Sequence, residues 1–192
     1  MKKYLIFISI FLTSISFVKA NSILDGIDYD FTNYVVVDNC KFRMWVPPTC
    51  NYVRGVLVAY NQMQEITSLD EEIRKACMIE DIAIIWADAL MMFGNGTGTF
   101  NRLQSALNQL ADLSGMPEIA TAPFACIAHS TAGISVREIA VAKPERCFGI
   151  IQLNAVDYRE NEAVKDIPWI SIKNGKEETT DTWEEARNFM VN

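Results

Sequence analysis

Histidine is almost missing from this chain: His129 is the only one in 192 residues. Positive charge is scarce as well, with 17 lysines and arginines against 24 aspartates and glutamates, for a formal net charge of −7. That balance repels polyanions and argues against nucleic acid or an anionic membrane as a partner. Also lacking is an apolar run of the about 20 residues that a membrane-spanning helix needs. The five cysteines (Cys40, Cys50, Cys77, Cys126 and Cys147) show no zinc-site spacing, and their odd number leaves at least one thiol unpaired. There is no internal repeat, low-complexity tract or interdomain linker. Half of the residues are apolar, which excludes disorder and supplies a buried core.

The first twenty residues have the layout of a secretory signal peptide. Lys2 and Lys3 form a positive start, and Tyr4 to Val18 is apolar apart from Ser and Thr. Val18-Lys19-Ala20 then places small or modest side chains, Val18 and Ala20, at the −3 and −1 positions of a cleavage site. Cleavage after Ala20 is expected, giving a secreted or periplasmic protein with no membrane attachment. Asn21 rather than cysteine follows the site, so nothing suggests a lipid anchor. The remaining residues 21–192 hold 14 basic and 24 acidic side chains, a net of −10, and are enough for one domain.

Along that domain, strand and helix patterns alternate. Tyr34–Val37 and Lys41–Val46 read as strands joined at Asp38-Asn39, and Pro47 and Pro48 end the second. Gly55–Tyr60 (GVLVAY) and Ile82–Ala87 (IAIIWA) are apolar throughout, as strands buried on both faces require. Phe124–Ala128, Phe148–Asn154 and Pro168–Lys173 are further strands. Helices are expected over Ser68–Ile79, with Ser68 as N-cap, and over Phe100–Leu113, closed by Gly115. Two more are expected over Gly133–Ala142 and Asp181–Met190. Such alternation predicts an α/β fold with a mostly parallel sheet and helices on both faces. Its site should lie in the loops after Tyr60, Ala87, His129, Asn154 and Lys173, at the carboxyl ends of the strands. Cys40 and Cys50 flank one strand and could bridge, whereas Cys126 and Cys147 read as small core residues.

The sharpest chemical signal is Ala125 to Gly133 (ACIAHSTAG). A strand ends at Ala128-His129, Ser130 occupies the turn, and a helix begins at once. Ala128, Ala132 and Gly133 are small, as a strained turn that crowds neighbouring backbone demands. Ser130 would stand at the top of the sheet, with the Thr131 N–H at the helix N-terminus to stabilise an oxyanion. This segment resembles the nucleophile elbow of the α/β-hydrolase superfamily, with alanines where the common form has glycines. The resemblance extends over about residues 41 to 190.

That resemblance implies an exported esterase-type serine hydrolase forming an acyl-enzyme on Ser130, close to the polyester depolymerase-like branch. The substrate would be a carboxylic ester of a carbohydrate or small polymer, with no cofactor. A second oxyanion donor would come from Asn61 or Gln62, after the GVLVAY strand. The acid would follow the Pro168–Lys173 strand, where Glu178 takes the acid position of a Gly-x-x-Asp-like turn, with Glu177 and Asp157 as alternatives. The resemblance gives the base to a histidine beyond one further strand, whereas this sequence reaches Asn192 with His129 alone. His129 adjoins Ser130 and is poorly directed to take its proton. The fold expected is therefore an α/β-hydrolase lacking the last strand and helix, either a truncated version of a longer esterase or a non-catalytic relative binding a small ligand above the sheet.

Gly94 to Gly98 (GNGTG) follows a strand and precedes a helix, as a phosphate loop does. It lacks the Gly-Lys-[Ser/Thr] sequence and the Gly-x-Gly-x-x-Gly spacing, so it reads as a connection beside the site rather than a nucleotide cradle. Trp86, Met91, Met92 and Phe93 near it read as core or as the wall of an acyl pocket.

Overall fold

A computed structural model describes residues 33–60, 67, 70–87, 96–154 and 162–172. The described residues begin with a hairpin of β1 (Asn33–Val37) and β2 (Cys40–Trp45). Asp38 and Asn39 form its two-residue turn with φ of 49° and 62°. Both angles are left-handed, which matches the right-handed twist of the flanking strands, and Asp and Asn tolerate them best after glycine. The parallel strands are β3 (Gly55–Tyr60), β4 (Ile82–Ala87), β5 (Phe124–His129), β6 (Cys147–Leu153) and β7 (Trp169–Ile172). The seven strands are ordered β1-β2-β4-β3-β5-β6-β7. β2 runs antiparallel to both β1 and β4.

Among the described residues, three α-helices fill connections: α1 (Glu71–Ile79), α2 (Gly96–Ser114) and α3 (Ala132–Ala142). On one face of the sheet, Val56, Val58, Ile85, Phe124 and Cys126 pack with Leu103, Leu107 and Leu110 of α2 and Val136 and Ile139 of α3. On the other, Leu57, Ala59, Ile84 and Ile127 pack with Ile73 and Cys77 of α1. β3 and β4 are accordingly buried at every position, as their unbroken apolar sequences predicted. The expected architecture, a mostly parallel sheet with helices on both faces, is present.

Three details differ from the sequence reading. α1 begins at Glu71, and its cap is Asp70, whose Oδ1 accepts the Ile73 N–H at 2.9 Å. Ser68 lies outside the described residues. α2 starts at Gly96, so Gly96–Thr99 forms its first turn instead of continuing the loop. The burial of Thr99 and Phe100 rewards helix there despite two glycines. Gly115 stops α2 as expected, at φ 72°. Finally, all five cysteines are buried and none is in a disulfide, so Cys40 and Cys50 do not bridge. β2 starts at Cys40 and ends before Cys50, and six extended residues span about 20 Å. A disulfide tolerates at most about 7 Å between Cα atoms.

At the amino-terminal edge, Arg146 ties the layers together. Its guanidinium donates to the carbonyls of Ala120 (3.2 Å) and Ala122 (2.8 Å) and to Gln104 Oε1 (2.5 Å). It also sits within 6.0 Å of the Phe100 and Phe124 ring centroids.

Candidate active site

The carboxyl end of β5, in the middle of the sheet, carries a left-handed turn. His129 is still extended and lies opposite Leu153 of β6 in the strand register. Ser130 then adopts φ 55°, Thr131 is already helical at φ −58° and ψ −23°, and α3 starts with Ala132. The left-handed region costs a residue with a Cβ roughly 1–2 kcal/mol, so the surroundings must hold Ser130 there. Three backbone bonds do so. Ser130 donates its N–H to Leu153 O at 2.9 Å, Gly133 donates to Ser130 O at 3.0 Å, and Ile134 donates to Thr131 O at 3.2 Å. Ala128 and Ala132 are buried on either side, which explains their size.

This geometry leaves Ser130 half-exposed at the top of the sheet. The Thr131 side chain is exposed and makes no capping bond, and the Thr131 N–H has no partner among the described residues. An N–H at the start of an eleven-residue helix carries partial positive charge from the aligned peptides behind it. Hydroxyl and amide therefore adjoin, as attack on a carbonyl and stabilisation of its oxyanion require.

Strand alternation sends His129 to the α1 face with Ala125 and Ile127. Trp86 is buried in β4, with the Arg43 guanidinium 4.5 Å from its ring centroid, so the core reading holds for it. Asn61, Gln62, Asp157, Glu177, Glu178, Met91, Met92 and Phe93 lie outside the described residues. Cysteine chemistry does not compete with the serine. Burial pushes the Cys77 and Cys147 thiols up to about 12 and raises Cys126 well above its ordinary value, which keeps them protonated.

Two features escaped the sequence reading. Asn154, immediately after β6, is also left-handed at φ 47° and donates its N–H to Ile172 O at 2.8 Å. A left-handed residue with its N–H on the next strand is thus found again one strand over. Gln152 of β6 is 2% exposed, and its Nε2 donates to Gly133 O at 3.0 Å. A glutamine inside an apolar strand was the available signal.

No protein-family model and no curated protein matches the chain. Among solved structures it is similar to TT1662 from Thermus thermophilus, at 8% identity and a TM-score of 0.50, covering 83% of this chain and 82% of that one. Est1E from Butyrivibrio proteoclasticus is 15% identical with a TM-score of 0.40, covering 64% of this chain and 50% of that one. An acetyl xylan esterase from Aspergillus awamori is 12% identical with a TM-score of 0.48, covering 65% and 52%. The chain spans about half the length of these last two proteins. Seven strands in the order β1-β2-β4-β3-β5-β6-β7, with β5 passing through a left-handed serine directly into a helix, make this chain an α/β-hydrolase fold.

Proposed function

We propose that this chain is an exported serine hydrolase of esterase type, with Ser130 as its nucleophile. The observation that carries this reading is the left-handed φ of 55° at Ser130, between β5 and α3. Strain of this kind persists where a turn must present one side chain, and no glycine has replaced the serine to relieve it. In the proposed reaction Ser130 Oγ bonds to the carbonyl carbon of a carboxylic ester. The Thr131 N–H receives the oxyanion, with a second donor from the Asn61–Gln62 loop. Collapse breaks the bond to the alkoxy oxygen, the Oγ proton leaves with the alcohol, and water then hydrolyses the acyl-enzyme. Glu178 is proposed to orient the base, with Glu177 and Asp157 as alternatives. As the resemblance implies, the ester would belong to a carbohydrate or small polymer.

The single histidine supports a second reading, a non-catalytic relative that binds a small ligand above the sheet. His129 is the only imidazole in the sequence, and strand alternation turns it toward the α1 face. Hydrolysis of p-nitrophenyl acetate by the full chain, beside its Ser130→Ala variant, separates the two. Turnover that falls at least about 100-fold in the variant, comparable to losing a principal catalytic group, establishes the enzyme. Equal rates from two folded proteins leave the binding reading. Export is tested independently, by sequencing the N-terminus of the processed protein. A start at Asn21 is expected, and retention of Met1 would overturn it.

A further inference from the structure

Gln152 lies at a position where an apolar side chain would suit the core. It faces α3 from β6, opposite Ala128 of β5, and is almost fully buried. Desolvating an amide is unfavourable unless its hydrogen bonds are replaced, so a buried glutamine is retained for direction rather than for packing. Its direction is specific: Nε2 donates to Gly133 O at 3.0 Å, across 19 positions of sequence. The next residue along β6, Leu153, accepts the Ser130 N–H at 2.9 Å, and Gly133 N–H closes the ring on Ser130 O at 3.0 Å. Two adjacent residues of one strand therefore grip both ends of the strained turn, one through its backbone and one through its side chain.

We propose that Gln152 is a positioning residue for the nucleophile elbow: its side-chain amide fixes Gly133, and through Gly133 the orientation of Ser130 Oγ and the Thr131 N–H. This rests on the reading of Ser130 as the nucleophile. Without the Gln152 bond, the first turn of α3 is held from β6 at one end only. Ser130 can then relax toward negative φ, which swings Oγ and turns the Thr131 N–H away from a developing oxyanion. Gln152 touches neither substrate nor the reacting atoms and acts only through the backbone it holds.

The test is the rate at which a fluorophosphonate labels Ser130 in the full chain, with Ser130→Ala as the blank. Gln152→Leu should label about tenfold or more slowly while still folded, since displacements of about 1 Å at a reacting group cost up to about 100-fold. Gln152→Glu supplies a readout that loss of packing would not. When protonated, the introduced carboxylic acid can donate to Gly133 O as the amide does. When ionised, it turns acceptor oxygens on that carbonyl. The ratio of Gln152→Glu to wild-type labelling should therefore fall as pH rises. Wild-type labelling by Gln152→Leu, or a ratio flat with pH, overturns the proposal. If Gln152→Leu does not fold, the pH ratio decides alone. If wild type itself does not label, the esterase reading fails separately, and amide hydrogen exchange decides the positioning. Exchange at Ser130 and Gly133 should then quicken relative to Ile139 in the variants, and unchanged exchange would overturn the inference.

Discussion

Under the proposed function, Ser130 is the residue where the needs of stability and of chemistry part. Its left-handed backbone would suit glycine, which reaches φ near 55° without a Cβ penalty. Ser130→Gly is therefore expected to raise the melting temperature relative to Ser130→Ala. The gain should be up to about 1 kcal/mol, or roughly 2–4 °C for a chain of this size. A lower value for the glycine variant would mean that the turn is not strained. A β-branched residue there should do the reverse, because it tolerates the left-handed region least. The strained turn at this residue was legible in the sequence, from small neighbours on a strand–turn–helix pattern. Gln152 was not. Alternation along β6 gives which face a side chain takes, but its partner, Gly133, is chosen by the packing of α3 onto the sheet.

Among the elements, the ones read best from sequence are those whose pattern has one solution. GVLVAY and IAIIWA are apolar on both faces and became the fully buried β3 and β4. The start of α1 was missed because Ser68 and Asp70 are both good caps, and Glu71 and Glu72 fall early in the helix under either choice. Replacing Asp70 by alanine should cost about 1 kcal/mol, which thermal unfolding would register, whereas no change would mean the cap is dispensable. The strand order is a third case: placing β4 between β2 and β3 depends on contacts far apart in the chain, which local periodicity does not encode. Arg146 tests how firmly those layers are joined. Arg146→Met keeps its length beside Phe100 and Phe124 but leaves the Ala120 and Ala122 carbonyls without that donor. A loss of about 2–4 kcal/mol in chemical denaturation is expected, and a loss under about 0.5 kcal/mol would reduce the bonds to ornament.

At the scale of the whole molecule, the buried thiols make the fold sensitive to alkali. Burial raises Cys77 and Cys147 from an ordinary value of 9.0 to about 12, so the folded state holds protons there that the unfolded state releases. Their contribution to stability is therefore complete below about pH 9 and is lost as pH climbs toward 12. The melting temperature should decline over that interval, less steeply after both are replaced by alanine, and a flat profile would contradict the burial. The paired left-handed residues also bear on the order of assembly. Ser130 leans on Leu153 O, and Asn154 leans on Ile172 O, so each strand end is completed by the strand made after it. During synthesis from the amino terminus, β5 exists well before the carbonyl that steadies its turn has been added. The serine's tense geometry is thus a late product of folding, reached only when β6 has docked, and a half-made chain carries Ser130 in an ordinary, relaxed turn.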